Sequence, residues 1–410
     1  MILVVFTTIY DAMSFFKHPT SAQNDQEIII DRQNQLLENW KEIQCPHLFS
    51  LNTEFSKANK CNCENMIGQI NLPVGLAGPV RIIEVSGEPE DFFVPLATSE
   101  GALVASVGRG LKAINKAGGA RIFVKNVGMT RAPVFSFMNG AEAFAFANYL
   151  DQKDTLAEIK KITEVTSNHL KFQKLQSFVR GRKVYVRFSF LTDEAMGMNM
   201  VTIALQKLWE EFLSKYEGIQ MLALSSNVCT DKKTSYINQL FGRGYSVQAE
   251  VFLSEDILRE TLKTTSKDLM KTHLAKNLIG SNLAGSPATN MQFANVAVAF
   301  YLATGQDAAH VTEASLGSTF VEEDEQANGV YFAVSLPDLP LGSIGGGTNL
   351  PAQKELKSIL SKTKEVLSSK QLVSILAAGV LAAEISGLAA LSNHTLAAAH
   401  NKLARGKHEK

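Results

Sequence analysis

Lys183–Leu191 (KVYVRFSFL) alternates apolar and polar side chains, and the segment after it, residues 194–200 (EAMGMNM), leads into a run at 195–215 with helical spacing. The period-two stretch predicts a strand and the later spacing a helix. Working outward, strands are expected at 121–127, 133–137 and 219–225, and helices at 141–150 and 156–170. Strands and helices in this alternation predict a compact α/β sandwich of about 90 residues. The flanking material resembles neither end of it, so an inserted domain is expected. In the segment itself, three methionines alternate around Gly197. Flexible core filling is one reading. A ligand laid over the backbone amides of a helix start is the other.

Upstream, 1–60 is polar with apolar residues at helical spacing around 28–40, which predicts a helical arm. Gly68, Pro73, Gly75, Gly78 and Pro79 predict an irregular loop over 65–80. A helix is expected at 102–114, with Ser99 as a cap and Gly118-Gly119 as its stop. Helices dominate the expectation beyond residue 230, among them 254–264 and 291–304. The stretch 372–391 is long enough to span a bilayer, which takes ~20 residues, but it is rich in Ala and Gly and carries Glu384 at its middle. A buried core or interface helix is expected there, because a charge at that depth is costly in lipid.

Composition bounds the function. The 410 residues balance 40 basic against 40 acidic side chains, which argues against electrostatic attachment to nucleic acid or anionic lipid. The four cysteines, Cys45, Cys61, Cys63 and Cys229, are too few for a disulfide framework and lack partners for a tetrahedral metal set. Reduced thiols, a cytoplasmic location and no metal are expected. The apolar stretch at 2–10 has no basic region before it and is too short to span a membrane.

Several segments carry candidate chemistry. Gly345-Gly346-Gly347-Thr348 exposes adjacent backbone amides, as a ligand cradle or a tight turn. Thr230-Asp231-Lys232-Lys233 follows a strand end, as a site loop or a solvated turn. Glu100 and Asp307 sit among small apolar residues. With Lys232 they would form a proton-handling cluster if the fold brings them together. His394 and His400 complete the set, while no GxGxxG or P-loop fingerprint is present.

Together these segments resemble the 3-hydroxy-3-methylglutaryl-coenzyme A (HMG-CoA) reductase family. The resemblance is carried in order by ENMIG at 64–68, PVGLAGP at 73–79, PLATSEGALVASVGR at 95–109 and GMTR at 128–131. It continues through AMGMNM at 195–200, TDKK at 230–233, KNLIGS at 276–281, GQDAA at 305–309 and GGGTNL at 345–350. It covers about 64–405 and looks like the biosynthetic, class I-like group. It implies an α+β enzyme with a helical N-terminal arm (1–64) and a large, mostly helical, discontinuous HMG-CoA-binding domain (65–131 and 226–410). A ferredoxin-like NAD(P)-binding domain would be inserted at 132–225.

The implied reaction is a two-hydride reduction of HMG-CoA to mevalonate in isoprenoid biosynthesis, with NADPH favoured and NADH possible. The implied catalytic set is Glu100, Lys232, Asp307 and His400, the last lying nine residues past Leu391. Substrate contacts are implied for Arg131, Ser225, Asp231, Lys233, Lys276 and Asn295, and for Ser106, Arg109 and Lys263 near coenzyme A. Cofactor contacts are implied for Glu194, Met196, Gly197, Met198, Asn199, Gly345, Gly346, Gly347 and Arg405. A homodimer or homotetramer with the site at the subunit interface is also implied. Four positions depart from the family pattern: Asn168 for a cation near the 2′-phosphate, Glu194 for an aspartate, Gln292 in a segment that usually holds a histidine, and Gly406 for a phosphorylatable serine. An acyl-CoA-binding pseudoenzyme and an acyl-CoA hydrolase are the competing classes; a hydride requirement separates them.

Overall fold

The computed structural model describes Phe16 and residues 23–39, 44–85, 87–364 and 366–394. Helix α1 (Asp25–Asn39) is capped reciprocally: the Asn24 side chain accepts from the Glu27 amide and the Glu27 carboxylate from the Asn24 amide. From α1, Arg32 and Gln33 donate to the carbonyls of Met66 and Ile67, at 3.1 and 2.8 Å. A small apolar cluster of Ile29, Ala58 and Met66 packs against Leu350. The arm is thereby fastened beside the glycine-rich segment.

The chain then forms β1 (Val74–Glu84), β2 (Glu90–Ala97), α2 (Leu103–Lys116) and β3 (Ala120–Arg131). Next come β4 (Val134–Ser136), α3 (Gly140–Leu150), α4 (Lys153–Glu164), β5 (Lys171–Arg180), β6 (Lys183–Leu191), α5 (Met198–Glu211) and β7 (Gln220–Ala223). The last third supplies β8 (Arg243–Ser254), α6 (Phe293–Thr304), β9 (Ser318–Asp324), β10 (Gly329–Leu339) and α7 (Ser369–Ser392). The fold is α+β.

Strand β3 joins the two halves of the sheet. Its first part, Arg121–Gly128, pairs antiparallel with β8, and its last three residues, Met129–Arg131, pair with β6. The sheet order is β7-β4-β6-β3-β8-β10-β9, with β1 beside β3, β2 beside β1 and β5 beside β6. Two apolar clusters follow. One gathers β1, β2, α2, β8, α6, β10 and α7; the other is built from 129–213.

Helix α7 is the axis of the first cluster. Ser368 and Gln371 form its capping box, and every residue from Leu372 to Ala390 is buried. It is the one described helix long and apolar enough to cross a membrane, and its apolar window is wholly buried inside the fold. It therefore serves as a core helix, as expected. The closest crossing is with α2: a Cβ at Gly110 would lie 2.0 Å from the Ala382 carbonyl oxygen, so only glycine fits.

Several expectations are corrected. The stretch 65–80 is not all irregular, since β1 begins at Val74 and pairs with β2 through a register shift after Ala77. Ser99 does not cap α2: the N-cap is Ala102 at φ 75°, and the nearby turn is held by Thr98 Oγ1 accepting from Glu100 N. The helix expected at 156–170 ends at Glu164 because β5 follows, an unexpected strand. Helices dominate after residue 230, as expected, but three strands that were not expected run among them. Strand β8 buries Tyr245, Val247, Ala249, Val251 and Leu253 at period two, and β9 and β10 pair beyond it.

Candidate active site

The loop after β7 is wound tightly. Asn227, Thr230 and Lys232 all have positive φ, at 65°, 60° and 57°. Such conformations are costly for non-glycine residues, so surrounding contacts must hold them. For Lys232 the holder is Glu313, whose Oε1 accepts the Lys232 backbone N–H at 2.5 Å. Glu313 is fully buried and receives Arg243 Nη1 on both oxygens, at 2.8 and 2.6 Å.

Arg243, also fully buried, spends its remaining donors on Thr130 Oγ1 (3.1 Å), Asp231 Oδ1 (2.9 Å) and Met198 Sδ (2.8 Å). One guanidinium thus joins β3, the Asp231 loop, the start of α5 and the helical turn carrying Glu313. Burial works against the arginine's charge, but Glu313, Asp231 and Asp338 outweigh it and its pKa rises. A neighbouring buried set extends the network. Asn238 Nδ2 donates to Asp338 Oδ2, while Arg187 Nη2 donates to Asn238 Oδ1 and the Gly242 carbonyl. Burial, then the charge of Glu313, pushes the Asp338 carboxyl far up.

On this base the backbone turn presents Lys232 Nζ 2.7 Å from Asp307 Oδ2, with both side chains partly exposed. Partial burial raises the Asp307 carboxyl, but the Lys232 and Ala309 hydrogen bonds and the charge of His310 outweigh it, and its pKa is lowered. Asp231 is depressed further: burial opposes the shift, and His310, Arg243 and Arg131 override it. Asp231, His310 and Glu313 bring donor atoms within 4.8 Å of one another, a spacing a metal could use. The Arg243 guanidinium already supplies positive charge to both carboxylates.

The pair opens onto a cleft of 910 Å³. Its lining gathers Arg131, Asp231, Lys232, Asp307 and His310 with 195–200 and 345–348, and Asn62 of the arm reaches it. Gly197 is the N-cap of α5 at φ 86°, where a Cβ would lie 2.4 Å from Thr192. Glycine at this point lets α5 open its N-terminus on the cleft. Gly345 and Gly346, at φ 87° and 54°, have open space where a Cβ would stand, so their backbone is bare.

Other expected residues lie elsewhere. Glu100 is exposed and does not line this cleft; its neighbour is Asn295 Nδ2 at 3.4 Å, which also donates to Gln292 Oε1 at 2.8 Å. The burial expected for Glu100 is therefore not supplied by its own chain, because the turn at 98–101 stands at the surface. Lys276, Ser225, Lys233 and Lys263 are exposed. Ser106 and Arg109 are turned onto Ser386 of α7, at 2.9 and 3.0 Å. Met198 borders the cleft, and its sulfur accepts from the buried Arg243 at 2.8 Å. Glu194 is committed to Ser343 Oγ and to the amide and hydroxyl of Ser369, tying the methionine segment to the start of α7. His400 and Arg405 lie outside the described residues, and His394 is exposed.

Sequence reasoning missed Arg243, His310 and Glu313. The spacing Asp307-x-x-His310-x-x-Glu313 was the available signal. Its meaning depended on a distant arginine.

A wound loop thus sets a lysine ammonium against a carboxylate in a cleft that also carries bare glycine backbone and a helix start, the makings of a site for a charged ligand. Comparison with known proteins makes the class specific. The model of the hydroxymethylglutaryl-coenzyme A reductase family matches residues 29–405, and the chain belongs to that family of oxidoreductases.

A 3-hydroxy-3-methylglutaryl-coenzyme A reductase of Methanocaldococcus jannaschii is 41% identical over 386 residues, covering 92% of this chain and 93% of the relative. One from Aeropyrum pernix is 41% identical over 360 residues, covering 86% and 84%. Among solved structures, the class II reductase of Streptococcus pneumoniae bound to NADPH in open conformations superposes with a TM-score of 0.64 at 20% identity, covering 88% of this chain and 86% of that one. This last likeness concerns the fold.

Proposed function

We propose that this chain reduces HMG-CoA to mevalonate and coenzyme A, the reductive step of the mevalonate route to isoprenoids, with NADPH preferred over NADH. The observation that carries the reading is the Lys232–Asp307 pair on one wall of a cleft whose other wall is the α5 N-terminus and Gly345–Gly347. The bare glycine backbone and the helix start fit a dinucleotide, which when bound supplies hydride. Met196, Gly197, Asn199 and Gly345–Gly347 would hold it. We assign 132–225 as the cofactor domain and 65–131 with 226–410 as the substrate domain.

Lys232 stabilises the oxyanion that forms at the thioester carbonyl, and Asp307 orients the ammonium. Arg131 and Asp231 face the same cleft and would hold the polar groups of the acyl moiety. His400 would protonate the departing thiolate and Glu100 the final alkoxide. Cofactor preference rests on a second cavity lined by Asn168, His169, Lys171, Asp193, Glu194 and Lys370. Lys171 and Lys370, which pair with Glu164 and Glu84, are the cations that line it in place of the one Asn168 lacks for a 2′-phosphate.

We further propose that a second copy completes the site, in a homodimer or homotetramer. Leu72, Val74, Leu76, Leu274, Leu278, Ile279 and Leu283 are exposed. The first of these stand beside the Glu100 turn, since Thr98 N donates to the Pro73 carbonyl. Covering this apolar surface would bury Glu100.

Two assays test the reading. Purified protein with HMG-CoA should oxidise two reduced nicotinamides per mevalonate, faster with NADPH; no oxidation with either cofactor defeats the reading. Mixing inactive Glu100→Gln and Lys232→Ala chains should restore about a quarter of wild-type activity if each site draws on both copies. No restoration, with exchange of chains demonstrated, places Glu100 and Lys232 in one chain.

A further inference from the structure

His310 lies between the carboxylates that flank Lys232. It is 1% exposed and ends the short turn Ala308–His310 that starts at Asp307. Its Nε2 stands 3.2 Å from Asp231 Oδ1 and 3.7 Å from Glu313 Oε1. Its Nδ1 stands 3.6 Å from Asp307 Oδ2 and has no hydrogen-bond partner. The ring therefore touches the carboxylate adjoining Lys232 in sequence and faces the one that pairs with its ammonium.

We propose that His310 is a positioning residue, clamped to Asp231 through Nε2, whose Nδ1 closes onto Asp307 and fixes the Asp307 carboxylate against Lys232 when the cleft is filled. Ionised carboxylates only accept hydrogen bonds, so the closed arrangement needs a proton on each ring nitrogen: Nε2 donates to Asp231 and Nδ1 to Asp307. A buried nitrogen left unpaired is costly, and a shift of well under 1 Å brings Nδ1 into bonding range of Asp307. Catalytic hydrogen bonds are often long before ligands bind and tighten afterwards. The same ring also explains why Asp231 stays in register: its Oδ1 is shared by His310 and Arg243. Substrate-holding and oxyanion-holding groups are thereby joined through one side chain.

This inference rests on the reductase reading, so its test includes a readout independent of turnover. His310→Leu keeps volume and removes both nitrogens; His310→Gln keeps an amide nitrogen whose two N–H donors serve Asp231 and Asp307. In the holoenzyme assay the leucine variant should lose roughly 10- to 100-fold in kcat with a smaller change in the KM for HMG-CoA. The glutamine variant should recover much of that loss. Separately, in ¹³C-methylated protein the Lys232 signal, assigned with Lys232→Arg, should move in His310→Leu and return toward its wild-type position in His310→Gln. Two results overturn the proposal: a folded leucine variant with unchanged kcat and unchanged Lys232 signal, or a glutamine variant as impaired as leucine. If wild type shows no reductase activity but the Lys232 signal still follows His310, the reductase reading fails and the positioning role stands.

Discussion

The two parts of the site are built differently. The Lys232–Asp307 part rests on a fully buried arginine and glutamate, and Glu313 of the same chain accepts the Lys232 backbone N–H. The Glu100–Asn295 part stands at the surface, joined by one long hydrogen bond of 3.4 Å. A group that must present positive charge on demand gains from a rigid base, because preorganisation removes reorganisation from the reaction. A carboxylic acid that must deliver a proton needs low-dielectric surroundings. Under the proposed roles, a single chain meets the first requirement at Lys232, and the second, at Glu100, falls to the proposed second copy.

The sharpest way to break this contrast is to remove Glu313. Glu313→Ala leaves Arg243 buried without its bidentate partner, and the loss of one member of a buried pair costs about 3–5 kcal/mol. Urea unfolding should show a large drop in midpoint. A variant of unchanged stability would mean that the network does not brace the Lys232 loop. Next in size are the two groups proposed to act in the reaction. Lys232→Ala should lower kcat by about 10²–10³-fold while the melting temperature stays near wild type, since Nζ is partly exposed and braces nothing. Glu100→Gln should lower kcat by about 10²-fold or more, with equally small effect on stability. A Glu100→Gln enzyme at full turnover would remove the acid role and with it the need for a covered half-site.

These residues also mark how far the sequence could be read. Lys232, Asp307 and the glycine segments were legible because their types and ordered spacing carry the chemistry locally. Helix α7 was legible because a long Ala-, Leu- and Gly-rich run with one buried carboxylate has few other uses. Arg243 and Glu313 were not legible: 70 residues separate them, and each alone looks like a surface charge. Strand β5 was missed because its pattern of half-buried residues lacks clean alternation. Strand β8 alternates well, yet it pairs with β3 across more than 100 residues of chain, and the helical expectation for the C-terminal region overrode its pattern. The positive φ at Ala102, beside the exposed Glu100, is announced by no residue type there.

A smaller effect tests whether the rigid part extends into the core. Gly110→Ala forces a methyl against the Ala382 carbonyl, and separating α2 from α7 should cost about 1–3 kcal/mol. Calorimetry should register the loss. Because Arg109 binds Ser386 from the same helix turn, KM for HMG-CoA should rise too if Arg109 contacts coenzyme A.

The smallest effect concerns Glu384, which plays for the exposed part the bracing role that Glu313 plays for the buried one. It is fully buried in α7, and its Oε1 accepts the amides of Met291 and Gln292, ahead of the helix that carries Asn295. Its Oε2 accepts the Thr319 hydroxyl at 2.7 Å. Burial pushes its pKa up, and the hydrogen bonds from Thr319, Gln292 and Met291 only partly oppose the rise. The folded state therefore holds a proton on Glu384 more tightly than the unfolded chain does. Its stabilising contribution is present below the unfolded carboxyl pKa and is lost as pH rises through the higher folded value. Glu384→Gln imitates the protonated form and keeps an oxygen for the two amides. Relative to wild type, the variant should gain stability steadily as pH is raised from acid to neutral, read as the difference in urea midpoints. The opposite slope would mean that the amides at the start of α6 favour the ionised carboxylate more than burial disfavours it. In that case the exposed part would rest on a buried charge after all, and the contrast between the two parts would reduce to the exposure of Glu100 alone.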